Sequence, residues 1–253
     1  MDIAAQYQMG FAIHSVVIGN SVACGFNGDG WKDLPQILQY NGKLKPEFRE
    51  SDIPQSAPTK LRAFLKARNP ASTVVNLCGS GWDTNDHLGI HTSKSGVAGP
   101  TNTIDDIRAL RPRPSVAFIP LQINDVTHGL SVQTFTINTN RIITELTALG
   151  IVPVLVKENY ARLPAYPEYI AKTDDIARVR KLAVIDTYAP FVGSSVLLSD
   201  YAHPINKGHD LMFGEYRKWF SFYRAPNLPP MVQPKQKSTL FSKLTSWVTK
   251  KIN

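Results

Sequence analysis

Cysteine is scarce in this chain of 253 residues: there are only two, Cys24 and Cys78. That is too few for a disulfide framework, and the count fits a reducing compartment. Both follow strand-like runs, so a single local pair stays open. Long apolar runs are absent as well. No stretch could span a bilayer, and the start, MDIAAQYQMGFAIHS, has an acid where a secretion signal would carry its positive region. The expectation is a cytoplasmic or virion-associated protein with no signal peptide and no transmembrane segment. Acidic residues are missing from 224–253, which holds Arg224, Lys235, Lys237, Lys243, Lys250 and Lys251, so most of the net charge of +8 is tail charge. The body shows no basic stripe interleaved with aromatics and no helix-turn-helix or zinc-finger spacing, which argues against a nucleic-acid partner. His87 and His91 are four apart, as in a zinc helix, but Gly89 interrupts them and no glutamate follows His87. They read as solvated loop residues, and neither a metal nor a cofactor is expected. Gly28 and Gly30 suggest a turn, because no lysine or strand-helix context follows to make a phosphate cradle.

Apolar strand-like runs recur at residues 15–18, 73–77, 115–121, 151–156 and 182–185, separated by segments of helical periodicity. The clearest helix is 133–149, whose apolar face is Phe135, Ile137, Ile142, Ile143, Leu146 and Leu149, with Gly150 ending it. A second covers 206–223, with Leu211, Met212, Tyr216, Trp219 and Phe220 on its buried face. Asp105 and Asp106 read as first-turn acids of another helix. The alternation predicts an α/β fold, a three-layer α/β/α sandwich around a mostly parallel five-stranded sheet. Residues 25–60 and 85–103 break the alternation and read as long irregular insertions. The globular domain is expected to span 1–223. Beyond it, 224–253 begins with the proline-rich linker APNLPPMVQPK. It continues into a basic amphipathic helix over 238–252, with Leu240, Phe241, Leu244, Trp247 and Val248 on one face. Such a helix suits a membrane surface, a protein partner or docking on its own domain.

The carboxyl ends of strands in open α/β sheets are where ligands bind. In VVIGNSVACGF the first strand ends at Gly19 and Asn20, with Ser21 next. VVNLCGSGWDT puts Gly79 and Gly81 after the second strand, FIPLQIND puts Asn124 and Asp125 after the third, and LSDYAHPINKGHDLM puts Asp200 and His203 just before the last helix. The four stretches, in this order, resemble the SGNH (GDSL-type) hydrolase family over roughly residues 14–222. That resemblance implies a flavodoxin-like fold and a serine esterase working through an acyl-enzyme. Ser21 is the implied nucleophile, His203 the general base and Asp200 its orienting carboxylate. The implied oxyanion hole combines the Ser21 and Gly81 backbone N–H groups with the Asn124 side chain. Gly96 and Gly99 are alternatives to Gly81, which is preferred because it directly follows the apolar run.

The sequence departs from the family pattern twice. Asn20 stands where an aspartate is usual, outside the proton relay, so altered local hydrogen bonding is expected rather than lost activity. Gln122 stands where the third motif has glycine. Trp31 and Trp82 are candidate substrate contacts, weighed against packing of the loops, and His128 reads as a turn residue. Family members act on acetylated carbohydrates, lipids and short acyl esters, or transfer acyl groups. The preferred substrate is a short acyl ester, acetyl for instance, on a carbohydrate such as a polysaccharide. Two other readings remain: an inactive binding or structural protein of a virion or surface assembly, and a lipid esterase held at a membrane surface by the C-terminal helix.

Overall fold

The structure, a computed structural model, describes residues 2–29, 31, 53–90 and 102–221. In chain order the elements are α1 (Ile3–Gln8), β1 (His14–Gly19), α2 (Ser21–Cys24), α3 (Ala57–Arg68), β2 (Thr73–Cys78), α4 (Thr84–His87), α5 (Thr103–Ala109), β3 (Val116–Ile119), α6 (Ile123–Thr127), α7 (Val132–Ala148), β4 (Val152–Lys157), α8 (Tyr166–Arg180), β5 (Ala183–Asp186) and α9 (Asn206–Ser221). Two short 3-10 turns, Ala189–Phe191 and Ser195–Leu197, lie between β5 and α9.

Each of the five apolar runs is a strand, and all neighbours pair in parallel in the order β2-β1-β3-β4-β5. The run at 115–121 yields only Val116–Ile119, because Pro120 has no N–H to extend the ladder. Successive strand residues face opposite sides. Val17, Val74, Phe118, Val154 and Val156 pack against Leu61 and Leu65 of α3 and Met212, Tyr216 and Phe220 of α9. Val16, Ile18, Leu77, Ile119 and Leu155 pack against Ile107 of α5, Phe135, Ile142 and Leu146 of α7, and Tyr169 and Ile176 of α8. The result is the three-layer α/β/α sandwich.

Several expectations need correction. On α7 the buried stripe runs through Phe135, Asn138, Thr139, Ile142, Ile143 and Leu146. Its three- and four-residue steps leave Ile137 off the stripe, 60% exposed. Leu211 likewise lies off the stripe of His209, Met212, Tyr216 and Phe220 on α9 and is exposed. The end of the presumed insertion 25–60 is helical: Ser56 caps α3 by accepting the Thr59 N–H, and Pro58 sits in the first turn, where no N–H is needed. Residues 85–103 also contain most of α4 and the start of α5, whose first turn carries Asp105 and Asp106. Residues 30, 32–52 and 91–101 of the two insertions, with His91, Gly96 and Gly99 among them, and the linker and helix of 224–253 lie outside the described residues. Among the described residues no helix is long and apolar enough to cross a membrane.

Cys24 at the end of α2 and Cys78 at the end of β2 are joined as a disulfide, with Cα atoms 5.4 Å apart. The local pair left open by the sequence is therefore formed, and the cysteine count no longer supports a reducing compartment. The bond closes a loop of sequence separation 54, and the loss of chain entropy in the unfolded state corresponds to about 4 kcal/mol. Reductant, or the double substitution Cys24→Ala/Cys78→Ala, is expected to lower unfolding free energy in urea by an amount of that order. Identical urea midpoints with and without reductant would refute a stabilising role.

Candidate active site

The sheet order reverses at β1, whose neighbours β2 and β3 carry the chain to opposite sides, and the crevice opens at the carboxyl ends of these strands. Ser21 lies there as the first residue of α2. Asn20 before it is extended, and its Oδ1 accepts the Val22 N–H at 2.9 Å, capping the helix. Ser21 is 7% exposed, and its Oγ lies 2.9 Å from Nε2 of His203, which comes from the loop before α9.

His203 is fixed from its other side. Its Nδ1 lies 2.7 Å from Asp200 Oδ2, while Asp200 Oδ1 accepts the backbone N–H groups of Ala202 and His203, each at 2.8 Å. Burial on its own would raise the Asp200 pKa. The two backbone donors and then the His203 ring outweigh it, so the carboxyl sits below the usual carboxylate value. An ionised Asp200 can only accept, so Nδ1 carries the proton and Nε2 turns its lone pair toward the serine hydroxyl. The Phe26 ring lies over the imidazole with centroids 4.4 Å apart, and Arg162 holds the loop by donating to the Asp200 carbonyl at 2.6 Å. This constellation can take a proton from a serine hydroxyl and hold the resulting imidazolium.

Asn124 sits in α6, 8% exposed, and donates one Nδ2 hydrogen to the Trp82 carbonyl at 2.8 Å. The second hydrogen of an amide group remains to be directed elsewhere. Gly81, beside Trp82, has φ +76, a conformation that glycine adopts without strain. A Cβ on Gly79 would lie 2.2 Å from the Trp82 indole, so glycine there lets the ring close under the loop. Trp82 and Trp31 are 2% and 3% exposed. Trp31 packs on Phe26 at 4.9 Å and Trp82 on His87 at 5.2 Å. Both candidate substrate contacts are thus packing residues, the alternative weighed from the sequence.

Three further features were not read from the sequence. His87 is buried, not solvated. Its Nε2 lies 3.2 Å from the Gly19 carbonyl and its Nδ1 2.9 Å from Thr103 Oγ1, so it ties the end of β1 to α5. His128 ends α6 as expected of a turn residue, and its Nδ1 also meets Asp83 Oδ2 at 2.9 Å. Asp125 accepts the Thr84 N–H at 3.1 Å and its hydroxyl at 2.6 Å, which holds α6 to the first turn of α4. Burial pushes the Asp125 carboxyl well above the usual value, against the pull of Thr84 and with a further push from the Asp83 charge. Among the described residues, the group that could gather around a metal is Asp83, Asp86 and His128. Asp83 Oδ1 and Asp86 Oδ2 serve the capping box of α4, where Asp83 accepts from Asn85 and Asp86 and Asp86 accepts from Asp83, and Asp83 Oδ2 meets His128.

No protein-family model matches this chain, and no curated protein matches its sequence. Solved structures do match its fold. A catalytic mutant of Axe2, an acetylxylan esterase from Geobacillus stearothermophilus, shares 18% identity over 86% of this chain and 100% of its own, with a TM-score of 0.64. LAE5, described as an alpha/beta hydrolase enzyme from the metagenome of Lake Arreo, Spain, shares 17% over 86% and 100%, with a TM-score of 0.61. A member of the lipolytic protein G-D-S-L family from Veillonella parvula shares 14% over 84% and 100%, with a TM-score of 0.57. At these identities the likeness defines the fold, which is the one that G-D-S-L lipolytic proteins and esterases share.

Behind His203, in the first turn of α9, His209 is fully buried, and neither ring nitrogen meets a hydrogen-bonding partner among the described residues. Burial pushes its pKa from 6.5 down to about 3, with the Lys60 charge adding to the shift and Asp210 opposing it. The folded value lies below the unfolded one, so the unfolded chain takes the proton first. The stability tied to the neutral ring is complete above pH 6.5 and declines toward pH 3, by about 1.4 kcal/mol per pH unit. An apolar replacement removes this linkage and leaves no polar atom to satisfy. His209→Leu is expected to match or exceed wild-type stability at pH 7 and to flatten the wild-type loss between pH 6 and pH 4, measured by urea unfolding. Parallel pH curves for the two proteins would exclude a buried neutral imidazole.

Proposed function

We propose that this chain is a serine esterase that transfers an acyl group from an ester to Ser21 and then to water. The observation that carries the reading is the hydrogen-bonded line from Ser21 through His203 to Asp200, formed at the crevice of a fold shared with esterases. His203 Nε2 takes the proton of Ser21 Oγ as that oxygen attacks the ester carbonyl. It returns the proton to the leaving alkoxide, then repeats both steps with water against the acyl-enzyme. Asp200 holds the imidazole and balances its charge. The developing oxyanion is assigned to the Ser21 and Gly81 backbone N–H groups and the free hydrogen of Asn124 Nδ2.

For the substrate we propose a short acyl ester, acetyl in the first instance, on a carbohydrate. The likeness to an acetylxylan esterase supports this choice. Against the alternative of an inactive binding or structural protein of a virion or surface assembly stands the presence together of Ser21, Asp200, His203 and Asn124, while the membrane-held lipid esterase depends on 224–253, which lies outside the described residues.

Hydrolysis of p-nitrophenyl acetate and release of acetate from acetylated xylo-oligosaccharide test the reading. Ser21→Ala and His203→Ala are each expected to lower kcat/KM by about 10³-fold or more, with a fluorophosphonate label located on Ser21 by mass spectrometry. A folded wild-type protein with no turnover and no label, or with the label elsewhere, would overturn the reading.

A further inference from the structure

Glu158, the residue after β4, is fully buried, and both of its oxygens are in use. Oε1 accepts from Asn20 Nδ2 at 2.8 Å, and Oε2 accepts the backbone N–H groups of Gln122 at 2.6 Å and Ile123 at 2.8 Å. The Glu158 backbone N–H in turn donates to Gln122 Oε1 at 2.9 Å, while Gln122 Nε2 donates to the Val156 carbonyl at 3.0 Å. One carboxylate therefore grips two turns. The first is the Asn20 turn, whose next residue is Ser21. The second is the start of α6, whose second residue is Asn124 and whose own N-cap side chain makes no capping bond. Glu158 caps that helix from another strand.

We propose that Glu158 is a positioning residue for the esterase reaction, holding the turn of Ser21 and the turn of Asn124 at one fixed separation, and that Asn20 is the donor matched to it. The proposal rests on the serine-esterase reading above. It bears on both departures from the family pattern: the Asn20 side chain donates to this carboxylate, whereas Gln122 reaches it through its backbone N–H and uses its side-chain oxygen to accept the Glu158 backbone N–H.

The polarity of the pair is fixed. Asn20 Oδ1 accepts from Val22, so its amide cannot turn round without losing the cap, and Nδ2 must face Glu158. Aspartate at position 20 would set two carboxylates against each other in a dry interior, where like charges at that distance are strongly disfavoured. Glutamine at position 158 would point its N–H2 group either at the Asn20 donor or at the two backbone donors of α6, and a donor facing a donor satisfies neither. The two changes together repair each other. The new glutamine would donate to the new aspartate and accept both α6 N–H groups on its oxygen, and the second oxygen of the aspartate would still accept from Val22.

The test compares wild type, Asn20→Asp, Glu158→Gln and the double variant in p-nitrophenyl acetate hydrolysis, with rates normalised to folded protein from urea unfolding. Misplacing reacting groups by about 1 Å costs on the order of 10²-fold. Each single variant is expected to lose about 10- to 100-fold in kcat with KM within about twofold, and the double variant to return to within about threefold of wild type. A role in stability alone would move the unfolding midpoint and leave kcat per folded molecule unchanged. Single variants with wild-type kcat, a double variant no more active than the worse single, or one that fails to fold would each overturn the proposal while the esterase reading stands. Wild-type protein without turnover or label on Ser21 would overturn that reading, and this proposal with it.

Discussion

The hydrogen bond between Ser21 Oγ and His203 Nε2 joins groups 182 positions apart, and a length of 2.9 Å between such distant residues depends on how the sheet is wound. The first strand must lie inside the sheet so that its end opens into the crevice, and the last loop must return over the same edge before α9 packs behind it. The order β2-β1-β3-β4-β5 does both. The strand that delivers Ser21 is flanked by the strands that deliver Gly81 and Asn124, while α9 packs on one face of the sheet with its Tyr216 and Phe220 against Phe118 of β3. Ser21 sits on a short helix rather than a long loop because Asn20 ends the strand and caps the helix in one step.

Buried polar groups in this crevice are held mainly by backbone donors and by one another. Asp83 caps α4, Asp125 accepts from Thr84, Glu158 accepts from the first N–H groups of α6, and Asp200 accepts from Ala202 and His203. A carboxylate inside a protein is tolerated when donors surround it, and here the donors belong to the turns that carry the candidate site. The same bonds that make the charges tolerable set the geometry of the turns. Asp200, whose side chain is partly exposed, differs from Asp125 and Glu158 in the balance of forces upon it. Its donors outweigh burial, whereas burial prevails at Asp125 and Glu158.

The strands and the two longest helices, α7 and α9, were legible because a parallel sheet buried on both faces leaves near-continuous apolar runs, the first three strands ending at or just before a glycine or a proline, and because each helix carries an apolar stripe. The set of Ser21, Gly81, Asn124, Asp200 and His203 was legible through the resemblance of four short stretches to the SGNH motifs, each lying after such a run or before a helix start. The burial of His87 was not. Whether a loop histidine meets water or the Gly19 carbonyl depends on how α4 folds back across the end of β1, and no local pattern encodes that. Glu158 was invisible too. A single acid after a strand looks like the start of a solvated loop, and only the approach of Asn20 and Gln122 from two other strands gives it partners. A better signal was the pair of departures, an asparagine and a glutamine where the motif has aspartate and glycine. Two unusual polar residues on neighbouring strands suggest a shared third partner.

Three restraints act on the loops of the crevice, and they do not overlap. The Cys24–Cys78 disulfide ties α2 to the end of β2, the Asp125–Thr84 bonds tie α6 to α4, and Glu158 ties α6 to the Asn20 turn. Joined by β2 and the loop to α4, they form a closed ring through the serine, the glycine and the asparagine. In such a ring, moving one turn requires breaking a link elsewhere. An oxyanion hole stabilises charge to the extent that its dipoles already point at the place where the charge will develop, since dipoles that must reorient during the reaction give back part of what they contribute. A ring of covalent and charge-assisted links is one way for a fold to hold three separate loops to that condition. His203 stands outside the ring, on the chain between Asp200 and α9. The imidazole, the proton carrier in the proposed reaction, is thereby oriented by its own turn, independently of the three loops in the ring.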